Sequence, residues 1–101
     1  MKIIKKLSKQ ISDEIEGMED YAKCALEWRK TDPELSKAYY DMAKAEHTHA
    51  QRLHELVMRK IEEAKASGIE PPQSMLNAWE DKHRELIEKS AMAKVYLDMY
   101  K

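Results

Sequence analysis

A chain of 101 residues is long enough for one small domain but not for a large core, so assembly with further copies would add stability. Charged residues make up 37%, glycine occurs twice and phenylalanine not at all. Ala, Leu, Ile and Met dominate the apolar set, which excludes a strand-rich fold and points to helices with wide polar faces. The 18 basic and 19 acidic residues leave a net charge of −1, which gives nucleic acid no basic surface.

The expected fold is all-α: one helical domain over residues 1–101, with a long antiparallel hairpin over about 3–66 and a third helix over about 74–100. The first helix starts among Lys2, Lys5, Lys6 and Lys9. These lysines interrupt Ile3, Ile4, Leu7 and Ile11, so the stretch lacks the unbroken apolar core of a secretory signal. It reads as the opening turns of the helix rather than as a basic membrane-surface segment. No apolar run approaches the ~18–20 residues of a membrane span. The single Cys24 cannot close an internal disulfide, so a reducing, cytoplasmic setting is expected.

Helix one carries a stripe at alternating steps of three and four: Ile4, Leu7, Ile11, Glu14, Met18, Tyr21, Ala25 and Trp28. Glu14 is the polar interruption. Gly17, mid-helix, costs ~1 kcal/mol against alanine and suggests a close approach by another helix. Thr31-Asp32-Pro33 then forms a short turn, with Asp32 as N-cap, Pro33 in the first helical turn and Glu34 on the positive helix end. So short a connection folds the two helices antiparallel.

Helix two repeats the pattern with Leu35, Tyr39, Met42, Glu46, His49, Leu53 and Leu56. Its interruptions, Glu46 and His49, are consecutive on the stripe. Ser67-Gly68 closes it and Pro71-Pro72 forces an extended segment. Helix three, with Ser74 as its expected N-cap, has the stripe Leu76, Trp79, His83, Leu86, Ser90, Ala93, Leu97 and Tyr100.

Folding helix one on helix two at the 31–33 turn brings Glu14, Glu46 and His49 to one height, about 25 Å from the turn at ~1.5 Å per residue. Glu46 and His49, at i and i+3, project from one face and can offer an oxygen and a nitrogen to one cation. Carboxylate and imidazole without thiolate suit iron or manganese and permit zinc. One hairpin supplies only half of a dinuclear bundle site, which takes a Glu from each of two helices and a Glu-x-x-His from each of the other two. A two-fold homodimer would supply four carboxylates and two imidazoles, so the carboxylates would balance two divalent ions. Higher homo-oligomers are compatible with the same arrangement.

Glu14-x6-Tyr21, followed by Glu46-x-x-His49 and Ala50-x-Arg52-Leu53, resembles the first half of a ferritin-like or rubrerythrin-like bundle over residues 11–57. The lack of a second complete hairpin makes the chain similar to the half-length encapsulated ferritins. That resemblance implies iron ligation by Glu14, Glu46 and His49, Tyr21 close to the metal, a di-iron centre across a dimer interface, oxidation of Fe(II), and delivery to a protein shell. The chain shows no shell-targeting tail and no Cys-x-x-Cys pair for a rubredoxin centre. Tyr39, from its stripe position, is expected near the site.

Other readings stay open. Glu14, Glu46 and His49 can form a polar layer that sets register in a non-enzymatic helical assembly or partner-binding module. Glu80-x-x-His83 repeats the motif and offers an alternative site within one chain, although a packed histidine at 83 is the simpler reading. His47 and His54 are expected in solvent. Trp28, Trp79, Met18 and Met42 are expected in the core, with Cys24 a small buried residue.

Overall fold

A computed structural model describes residues 2–100. Three helices account for almost all of it: α1, Lys2–Trp28; α2, Pro33–Ala66; and α3, Gln73–Tyr100. The rod they form measures 56 × 18 × 18 Å. No helix among the described residues is long and apolar enough to cross a membrane.

The turns follow from local chemistry. The Asp32 carboxylate accepts from the Leu35 amide at 3.1 Å and Pro33 opens α2, so the chain reverses within four residues. At the other end Gly68 takes a positive φ of 79°, and the Gly68 and Ile69 amides donate to the Lys65 and Ala64 carbonyls. Only glycine adopts this left-handed conformation without strain. The predicted cap of α3 is corrected by two positions, from Ser74 to Pro72. The Met75 and Leu76 amides both donate to the Pro72 carbonyl, so Ser74 lies inside the first turn.

The helices α1 and α2 pack antiparallel along their length through small side chains. Ser36, Ala43, Ala50 and Val57 form a buried seven-residue repeat on α2, facing Ala22 and Ala25 among others on α1. The Ser36 hydroxyl donates to the Ala25 carbonyl, closing the seam near the turn. The predicted stripe of α2 is therefore displaced by one residue. Leu35, Tyr39, Glu46, Leu53 and Leu56 flank the seam half-buried, while Met42 and His49 are exposed. On α1 the buried line is Ile4, Leu7, Ile11, Ile15, Met18, Ala22 and Ala25; Glu14 and Tyr21 sit half-buried beside it. Trp28 and Met42, expected in the core, are 38% and 40% exposed. The physical reason is that short side chains let the helix axes approach, so bulky neighbours splay to the edges of the contact.

Running parallel to α1, α3 packs mainly on it. Its predicted stripe is the one observed: Trp79, Leu86, Ala93 and Leu97 are buried, and Leu76, His83, Ser90 and Tyr100 half-buried. Between α2 and α3 the backbones stay apart and long side chains bridge them. Tyr40 stacks on Tyr100 at 4.3 Å, and His54 stacks on His83 at 4.4 Å and on Trp79 at 5.9 Å. Arg29 ties the first turn to the end of α3 by donating to the Met99 carbonyl at 2.8 Å.

Candidate metal centre

Glu14 reaches the α1–α2 seam from one side, and Glu46 and His49 reach it from the other. Each offers one ligand atom, and the three atoms lie within 4.8 Å of one another. Among the described residues this is the one such grouping of His, Cys, Asp or Glu. His49 Nδ1 comes to 3.4 Å from Glu14 Oε2 but without hydrogen-bond alignment. Glu14 Oε2 is buried and has no hydrogen-bond partner.

Gly17 makes room for the second carboxylate. A Cβ at that position would stand 3.0 Å from Glu46 Oε2 and 3.4 Å from its Cδ. The close approach suggested by a mid-helix glycine is thus made by the Glu46 side chain. The Glu46 carboxyl is pushed up from its usual 4.5 to about 7. The hydrogen bond shared with Glu14 is the largest cause, burial and the like charge of Glu14 add to it, and His49 opposes it. The Glu46 carboxyl therefore keeps its proton to a higher pH than a free carboxyl would.

A cation suits this donor set. It would satisfy the orphaned Glu14 oxygen, replace the proton on Glu46, and take an imidazole nitrogen of His49, whose side chain is 58% exposed. The cluster lies away from α3: His47 lines the α2–α3 groove, and His49 is about 200° further round the helix at 3.6 residues per turn.

Tyr21 and Tyr39 face each other across the same seam with ring centroids 6.0 Å apart. They stand seven residues from Glu14 and Glu46 respectively, about 10 Å along the helices towards the turn. Glu80 is exposed and is not brought together with His83 in such a grouping. His83 instead stacks on Trp79 at 5.3 Å and on His54, where burial and the neighbouring imidazole hold its pKa below the ordinary value.

His54, expected in solvent, is half-buried with its Nε2 unpartnered. Its place on the α3 side of the small-residue repeat was the signal that could have located it. His47 is also half-buried, and Cys24 is half-buried rather than sealed in the core. Comparison of the chain with protein-family models, with curated proteins and with solved structures finds no match.

Proposed function

We propose that the chain is a ferritin-like metal-binding protein that oxidises Fe(II) at a two-iron centre completed by a second copy. The observation that carries this reading is the convergence of Glu14, Glu46 and His49 within 4.8 Å on a face that α3 leaves uncovered. One chain offers two carboxylates and one imidazole, too few donors for two ions. A two-fold partner laid on the same face doubles the set and leaves four negative charges for two divalent ions. Trp28 and Met42, exposed on the helical lines of Glu14 and Glu46, add apolar surface to the face such a partner would cover, Met42 one turn from Glu46 and Trp28 at the turn end.

In this reading Fe(II) is the substrate, and its electron passes to dioxygen or peroxide. Glu14 and Glu46 bind and balance the charge, Glu46 releasing its proton as the cation arrives. His49 fixes one position by nitrogen ligation. Manganese or zinc could bind the same donors without the same turnover. Delivery of the product to a protein shell belongs to the resemblance with encapsulated ferritins.

The test is anaerobic loading with Fe(II), metal counting, then admission of air. We expect one iron per chain, two per dimer, and an Fe(III) absorbance that Glu46→Gln and His49→Ala abolish. Iron below stoichiometry, or binding unchanged in both variants, overturns the reading.

A second reading is favoured by the raised Glu46 pKa, which lets that side chain sit beside Glu14 uncharged without metal. The cluster then acts as a polar layer in a non-enzymatic assembly. Replacing Glu14, Glu46 and His49 by apolar residues would raise the melting temperature in metal-free buffer under either reading. Only the metal centre predicts that a metal-induced rise is lost with them.

A further inference from the structure

A second feature lies at the opposite side of α1, where its first half meets the start of α3. The groove there has a volume of about 800 Å³, within the range of small-molecule sites. Its floor is apolar, made of Ile4, Met75, Ala78 and Trp79. Its rim is cationic, carrying Lys2, Lys5 and Lys9 from α1 and Lys82 from α3. Lys9 is paired with the one carboxylate on the lining, Asp13, at 3.3 Å, and Lys82 with Glu85 at 3.9 Å, so Lys2 and Lys5 carry the unbalanced charge of the rim. The α3 helix also begins at this groove with no acidic residue in its first turn, so the positive end of its dipole adds to the potential there.

We infer that this groove binds a small amphiphile with one anionic head group and an unbranched apolar chain. The chain lies on the floor between α1 and α3, and the head is held among the lysine ammonium groups. Lysine stems cover apolar surface while their charges stay in water, so the rim contacts both parts of such a ligand. A neutral or cationic amphiphile of the same length would gain the floor but not the rim. The inference is independent of the metal centre, since none of Glu14, Glu46 or His49 lines the groove.

The chain has two tryptophans, so Trp28→Phe leaves Trp79, on the floor, as the sole reporter. Titration of that variant with sodium dodecanoate below its micelle concentration is expected to change the emission of Trp79 saturably at one ligand per chain. Dodecylammonium is expected to give no saturable change over the same range. Lys2→Gln/Lys5→Gln, at two exposed positions, should weaken dodecanoate at least fivefold, and Ala78→Phe, also exposed, should block it by filling the groove. Circular dichroism checks that both variants remain helical. Glu46→Gln should leave the titration unchanged. Equal response to both head groups, absence of saturation, or affinity unaltered in both groove variants overturns the inference. A response to phosphatidylglycerol vesicles without one to free dodecanoate also overturns it, in favour of a membrane surface.

Discussion

Gly17 and Glu46 are fitted to each other across the α1–α2 seam: the missing Cβ of one is the space taken by the carboxylate of the other, with 3.0 Å between that Cβ position and Glu46 Oε2. Gly17→Ala therefore separates stability from site geometry. The substitution gains ~1 kcal/mol of helix propensity. The atom it meets is the far end of a flexible side chain, which yields by a few tenths of an ångström. We expect the metal-free melting temperature to hold or rise while metal affinity falls about tenfold, in the range seen when groups that orient metal ligands are changed. Paired thermal melts and calorimetric titrations with Fe(II) under argon measure the two effects.

The raised Glu46 pKa gives the metal-free protein a defined pH response. The Glu46 carboxyl binds its proton more tightly folded, at about 7, than unfolded, near 4.5. Its stabilising contribution is therefore complete below pH 4.5 and is lost as pH rises through 7. Glu46→Gln should remove this component from a melting-temperature scan over that window. Metal affinity should run the opposite way, rising with pH to about 7 as the proton competes less. A titration at pH 5.5 and 7.5 checks the sign.

His83 titrates with the reverse sign. Burial against Trp79 and the nearby His54 ring favour its neutral form, so its folded pKa lies below the usual 6.5. Stability from this group is present above pH 6.5 and lost as pH falls through the lowered folded value. His83→Phe keeps a flat ring on Trp79 without a charge to take up. It should flatten the acid side of the melting profile and leave the Glu46 component in place.

The helices, both turns and the α3 stripe were legible because each rests on local signals: Asp32-Pro33, Ser67-Gly68 and the spacing of Trp79, Leu86, Ala93 and Leu97. The α1–α2 register was legible too, since the short turn fixes which residues share a height, and Glu14, Glu46 and His49 share one. The buried line of α2 was not. A search for bulky apolar residues follows Leu35, Tyr39 and Met42, whereas the contact is made by Ser36, Ala43 and Ala50, whose value lies in how little space they take. The same shift hid the His54–His83 stack, which depends on where α3 lies rather than on anything local to position 54.

That seam predicts a strong size limit at Ala43, which is fully buried. Ala43→Leu places three extra carbons in the sealed contact between the helices. Overpacking of this kind costs ~1–3 kcal/mol. Urea unfolding should report that loss. The site should respond as well, because separating α1 from α2 moves Glu14 from Glu46; iron stoichiometry should fall even where the protein remains folded.

The uncovered face provides the sharpest test of a shared centre. Trp28 and Met42 are half-exposed on the helical lines that carry Glu14 and Glu46, so they do little for the isolated chain. A second copy placed there would bury both. Trp28→Glu/Met42→Glu puts like charges against each other across a two-fold axis while leaving the ligands and the interior seam untouched. The double variant should retain its helical circular dichroism and run as a monomer in analytical ultracentrifugation, with its Fe(II) affinity reduced at least tenfold. The parent chain should be a dimer, held more tightly with metal than without, because ligand binding to the assembled form draws the equilibrium towards it. A monomeric parent with full iron stoichiometry would instead mean that one hairpin binds its ion alone, with solvent supplying the remaining ligands.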